Sequence, residues 1–264
     1  MIKFLHYINS FPIPFTSLHY QVFGEEMSAR FKDNVLDSPE AWDLLREEHP
    51  HFSVSPNREE WLRAAEVVEK KDGQDGGLIR RAKEVASVLK EKSITSLFSV
   101  GVGGAGLEYQ IKKILPDIHL TCSEYAPKNI EMLEKVFYEC DEFLVFDIKK
   151  DDWHIALRGV SPDVQMCMLY RVDVHFTDKE WRAIFERMHE TGIKQIFFIP
   201  SVCITIRSWA YRMVRRLRWF LRGEKQTFVG YVRTQKRFET FWSGLYSCEM
   251  KKTPALHGFV LTRM

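Results

Sequence analysis

Four glycines, Gly101, Gly103, Gly104 and Gly106, fall within six positions, a density that neither a regular helix nor a regular strand tolerates well. They stand between two regular patterns. Before them, Ile94 to Val100 is an apolar run with β-branched and aromatic residues, as expected of a strand buried on both faces. After them, Leu107, Ile111, Ile114 and Leu115 recur on one helical face, and Pro116 ends the helix. His119 to Cys122 resumes as a strand, with Glu124 at its carboxyl end. Strand, glycine turn, helix, strand and terminal acid make a βαβ unit suited to a nucleoside. Glycines let a ligand approach the main chain, and an acid in this place can accept both ribose hydroxyls.

Gly101, Gly103 and Gly106 satisfy the dinucleotide fingerprint, so an oxidoreductase using a nicotinamide or flavin cofactor stands as one reading. The following run, SEYAPKNIEMLEKVF, resembles the segment after the second strand in class I S-adenosylmethionine-dependent methyltransferases. Shared features are the acid, a proline a few residues on, and a helix carrying Met-Leu. The resemblance implies a doubly wound α/β fold with a mostly parallel seven-stranded sheet, S-adenosylmethionine as cofactor, and methyl transfer to an oxygen or nitrogen. It further implies a cofactor site made of Gly101, Val102, Gly103, Gly104, Gly106, Glu124, Tyr125, Asp147, Ile148 and Tyr170. The glycine loop would hold the methionine part, Glu124 the ribose, and Asp147 the adenine amine. One departure is visible: that family usually carries an acid two positions before the first glycine, where this chain has Ser99. A protein that keeps the fold without catalysis is therefore a third reading.

The chain has 264 residues, enough for one sizeable core with an appendage, and a net charge of +2 makes bulk charge no argument for a polyanion partner. Nucleic acid is not expected, because no binding module is recognisable. Five widely spaced cysteines without zinc spacing are expected as reduced thiols of a cytoplasmic protein, and no metal site is expected. The N-terminus is aromatic and apolar but broken by His6, Asn9, Pro12 and Pro14, and it does not read as a signal peptide.

Residues 1–77 read as a helical extension and 78–264 as the ligand-binding domain. Short helices are expected from Ser38 to Glu48 and from Glu59 to Lys71, with a linker at Lys70 to Gly77. By resemblance, such additions cover the cofactor and shape the acceptor pocket; simple packing on the sheet is the alternative. Leu78 to Lys92 then reads as a helix leading to the first strand.

Further along, Glu142 to Phe146, Val164 to Tyr170 and Gln195 to Ile199 read as strands. Thr177 and Glu180 form a capping box for the helix that follows the fourth strand. The loop Arg171 to Phe176 should lie at the carboxyl edge of the sheet, beside the ligand crevice. Its Arg171, Asp173 and His175 are candidates to orient or deprotonate an acceptor, His175 being the best base by residue type. Structural hydrogen bonding is the alternative role.

From Ile206 to Arg222, apolar residues recur at helical spacing and six arginines fill the remaining surface with no acid. The apolar stripe is expected to pack on the protein's own sheet, leaving the arginines solvated. The same face also suits a membrane surface or an anionic substrate. A loop at Gly223, a helix from Arg233 to Trp242 and two closing strands, Leu245 to Met250 and Gly258 to Met264, complete the chain. No stretch names the acceptor; a glycan, a lipid-linked sugar or a small metabolite would each fit.

Overall fold

The computed structural model describes residues 19–25, 38–48, 53–71, 77–223 and 226–264. The chain begins with strand β1 (His19–Glu25), then helices α1 (Pro39–Glu48), α2 (Arg58–Lys71) and α3 (Leu78–Glu91). The nucleoside unit follows as β2 (Ser96–Val100), α4 (Gly106–Ile114) and β3 (His119–Glu124). Next come α5 (Pro127–Val136), β4 (Glu142–Val145), β5 (Gln165–Tyr170), α6 (Asp178–Thr191) and β6 (Gln195–Ile199). The remainder is α7 (Ile206–Arg222), β7 (Gln226–Arg233), α8 (Gln235–Trp242), β8 (Tyr246–Lys252) and β9 (His257–Arg263).

Seven strands form one sheet in the order β4-β3-β2-β5-β6-β9-β8. All neighbours from β4 to β6 are parallel, and β9 runs antiparallel to both β6 and β8. Side chains alternate across the sheet as a period of two requires. Leu97, Met166, Met168, Phe197 and Val260 face a core built with α3, α4 and α5. Phe98, Cys167, Leu169, Phe198 and Phe259 face an aromatic core with Trp153, Trp181, Phe185, Phe241 and Trp242. Both faces are therefore dry, which is why the central strands read as continuous apolar runs. The closing pair places the sheet's one reversed strand inside the edge, with β8 outermost.

The expected strands and helices appear within a few residues of their sequence bounds, and the capping box of Thr177 and Glu180 is complete. Between Gly223 and the last helix, where the sequence suggests a loop, lies a strand, β7. It pairs antiparallel with β1, so the N-terminal segment adds a strand as well as helices. The tie between them is backbone pairing in a separate two-stranded sheet, between segments about 200 positions apart in the chain. The signal-peptide question concerns residues 1–18, and much of the Lys70 to Gly77 linker falls at 72–76; both lie outside the described residues. All five cysteines are free thiols; Cys122, Cys167 and Cys203 are buried and Cys248 is exposed.

Candidate functional site

β2 ends at Val100 and the chain turns at once. Gly101 has φ +67 and Gly103 φ +54, backbone that residues with a Cβ seldom adopt. A Cβ on Gly101 would stand 2.5 Å from Val172, whereas one on Gly103 would meet nothing within 4 Å. Gly101 thus answers to packing and Gly103 to open space in front of the loop. Gly106 answers to packing too, facing Leu78 and Ala65 where α4 starts against α2 and α3. The loop is fastened from outside: Trp61 donates to the Gly104 carbonyl at 2.8 Å and Asn129 to the Gly103 carbonyl at 2.7 Å.

Glu124 closes the turn. One carboxylate oxygen accepts from the Gly103 amide at 2.8 Å and the other from the Tyr125 amide at 2.9 Å. Each oxygen retains a lone pair, so two further donors can be accepted. Arg46 of α1 approaches to 3.6 Å from Glu124. Its guanidinium lies over Trp42 at 5.5 Å. Arg46 is 9% exposed, and among the described residues its Nη1 has no hydrogen-bond acceptor.

These groups surround a cavity of about 190 Å³ at the carboxyl edge of the sheet. Of the residues singled out by sequence, Gly101, Gly103, Glu124, Tyr125, Asp147, Ile148, Arg171 and His175 line it. Trp42, Arg46, Lys149, Val172 and Phe176 join them without any sequence signal of their own. Asp147 also turns its carboxylate back to the Lys149 amide at 2.8 Å, stabilising the turn after β4.

Besides Gly106, four residues take other places. Val102 packs with the α3 and α4 core, and Tyr170 accepts a 3.4 Å contact from Arg81 on that side. Gly104 serves through its carbonyl, as above. Asp173 is fully buried and does not line the cavity: its carboxylate accepts from the Ser201 amide at 2.6 Å. Burial pushes its pKa up, against the pull of the Ser201 hydrogen bonds. It is an internal fastener of the loop rather than a group facing the cleft.

The loop from Arg171 to Phe176 is held by a residue that sequence reading passed over. Arg233, at the end of β7, is wholly buried and donates to Asp178 at 2.6 Å, to the Asp173 carbonyl at 2.9 Å and to the Phe176 carbonyl. Arg171 itself has φ +59, a left-handed conformation rare for a side-chain-bearing residue, at the lip of the cleft. His175 meets Trp42 edge to face, with ring centroids 5.1 Å apart. Crowding by protein atoms pulls its pKa below the usual value, toward about 4. The residue nevertheless keeps an exposed side, and water tempers that pull. The ring is neutral at pH 7 in either case.

The sequence matches no protein-family model, and no curated protein is similar to it in sequence. Solved structures are similar in fold. TnmH aligns at a TM-score of 0.54 with 14% identity, covering 85% of this chain and 61% of TnmH. SibL, described as an S-adenosylmethionine-dependent methyltransferase in its apo form, aligns at 0.53 with 12% identity, covering 89% of this chain and 72% of SibL. A putative O-methyltransferase from Nostoc punctiforme PCC 73102 aligns at 0.52 with 10% identity, covering 70% of this chain and 56% of that one. The chain has the class I S-adenosylmethionine-dependent methyltransferase fold. It spans less than two thirds of TnmH and of the Nostoc protein. Among the described residues no group of His, Cys, Asp and Glu side chains is arranged to hold a metal ion, and no helix is long and apolar enough to cross a membrane.

Proposed function

We propose that the protein is an S-adenosylmethionine-dependent methyltransferase acting on an oxygen or nitrogen of a small-molecule or glycan acceptor. The observation that carries this reading is the pairing of Glu124 with Arg46 across one cleft. The spare lone pairs of Glu124 suit two ribose hydroxyls, and the buried, acceptor-free Nη1 of Arg46 suits the carboxylate of an amino-acid moiety. A ligand carrying both groups fits the residues present. The open face of Gly103 leaves room for it against the main chain, and the fold shared with SibL supports it.

The bound cofactor would supply a methyl group already activated by a sulfonium, so the protein's work is alignment, exclusion of water and, for a hydroxyl acceptor, proton removal. Asp147 and Ile148 border the side of the cleft where a base would lie. Trp42 and Phe176 supply apolar cover. His175, neutral at pH 7, is a group in the cleft able to take the acceptor proton, and Arg171, which also lines the cleft, can orient an acceptor.

Calorimetric titration with S-adenosylmethionine, S-adenosylhomocysteine and NADH tests the reading. Binding of the first two with no response to NADH is expected. Binding of NADH alone would establish the oxidoreductase alternative, and silence from all three would favour a protein that keeps the fold without catalysis.

A further inference from the structure

Helix α7 departs from the sequence expectation. Four apolar side chains of its second half stand open rather than packed on the sheet: Val214 is 51% exposed, Leu217 58%, Phe220 79% and Leu221 73%. Consecutive turns bring these side chains to one face, since positions three and four apart are neighbours. Six arginines and no carboxylate share the same 17 residues. The helix is about 25 Å long at 1.5 Å per residue, and too charged to cross a bilayer.

We infer that α7 docks the protein on an anionic lipid surface, lying in the plane of the bilayer with Val214, Leu217, Phe220 and Leu221 in the acyl boundary and its arginines among the headgroups. Charge selects this occupant. A hydrophobic protein partner would be met by the apolar face alone, whereas a helix whose sequence carries six arginines and no acid complements a surface of negative charge. The position of the helix supports the same assignment. It follows β6, at the carboxyl edge where the cleft opens, and precedes β7, which pairs with β1 outside the main sheet. There the Tyr231 amide donates to the Val174 carbonyl at 2.7 Å, next to His175. The docking helix is thus joined by backbone to the loop that lines the cleft.

Flotation of the full chain with vesicles tests this, using pure phosphatidylcholine against phosphatidylcholine with about one third phosphatidylglycerol. The protein should float with the anionic vesicles only, and raised salt should release it in part. Arg218→Glu should lower partitioning about fivefold or more, and the double variant Leu217→Glu, Phe220→Glu about tenfold or more. Both variants should melt at the wild-type temperature, because these side chains are exposed. Failure of the wild type to float overturns the inference. So does equal flotation of the double variant. If the wild type stays in solution, loss of melting temperature in the double variant would assign the stripe to internal packing. A dimer that the double variant dissociates would assign it to a second copy.

Discussion

The Ser99 hydroxyl donates to Oε1 of Glu108 at 2.8 Å, with Ser99 fully buried and Glu108 nearly so. The serine that stands where the resemblance expects an acid thus bonds a buried acid in the first turn of α4, away from the cleft lining. Burial, more than the charge of Glu124, pushes the Glu108 pKa up to about 7, although the Ser99 hydrogen bond pulls the other way. A raised folded-state pKa means that the folded chain holds this proton more tightly than the unfolded one. Stability is therefore lost as pH rises from the ordinary glutamate value through about 7.

Glu108→Gln keeps an acceptor for Ser99 and removes the titration. The variant should be more stable than the wild type by about 3 kcal/mol at pH 9 and near equal at pH 4. Denaturant melts at the two pH values measure this. A difference independent of pH would show that Glu108 does not titrate in this range.

Gly101→Ala and Gly103→Ala should separate packing from binding. Both force a Cβ into left-handed backbone, at about 1–2 kcal/mol each. Only Gly101→Ala also drives an atom into Val172, so it should lose clearly more stability. Gly103→Ala should fold well and bind S-adenosylmethionine more weakly, because its methyl group enters the open side of the loop. Equal melting temperatures for the two variants would contradict the assignment.

The nucleoside unit was legible because its signals are local: the glycine cluster, the apolar runs on either side and the acid at the end of β3 all lie within 31 residues. Residues that fasten or complete the site were not legible. Arg46 reaches Glu124 from 78 positions away, and Arg233 reaches the Asp173 carbonyl across 60. Neither pairing has a periodicity, since it depends on how distant elements pack. The setting of Asp173 is equally hidden from the sequence. Its residue type and loop position suit a cleft, but burial beside Ser201 and Arg233 turns it inward. The stripe of α7 shows that periodicity identifies an apolar face without saying what covers it.

Arg46→Ala should raise the dissociation constants of S-adenosylmethionine and S-adenosylhomocysteine about tenfold or more, the range for a charged hydrogen bond. Methylthioadenosine, which has the ribose and base but no carboxylate, should bind unchanged. Glu124→Gln should instead weaken all three. Calorimetry on the pair of variants checks both statements, and loss of methylthioadenosine binding in Arg46→Ala would move that residue from the carboxylate to the ribose.

Arg233→Ala takes the buried donor from the Phe176 carbonyl, leaves the Asp173 carbonyl only the Trp181 indole, and takes one partner from Asp178. Breaking a buried pair in this way costs about 3–5 kcal/mol, or roughly 10 °C of melting temperature in a chain of this size. Arg233→Lys should recover little, because an ammonium cannot serve three acceptors in a planar fork. A melting temperature within a few degrees of wild type for either variant would show that the loop is held by other contacts.

His175 gives a second pH prediction, smaller than that of Glu108 because its ring keeps an exposed side. Protein atoms crowding the ring lower its folded-state pKa, and water on its exposed side offsets part of that shift, so the unfolded chain takes up this proton first, by a small margin. Stability is then lost as pH falls below the ordinary histidine value of about 6.5 and toward the folded one. Proton NMR of the imidazole should give a midpoint well below 6.5, and His175→Gln should be more stable than wild type near pH 5 and equal to it near pH 8. The same variant should bind S-adenosylmethionine normally and, with a hydroxyl acceptor, lose about a hundredfold or more in turnover. A midpoint at or above 6.5 would mean that Trp42 and the cleft do not shield the ring. Full turnover with normal binding would remove His175 as the base and leave alignment alone to carry the transfer.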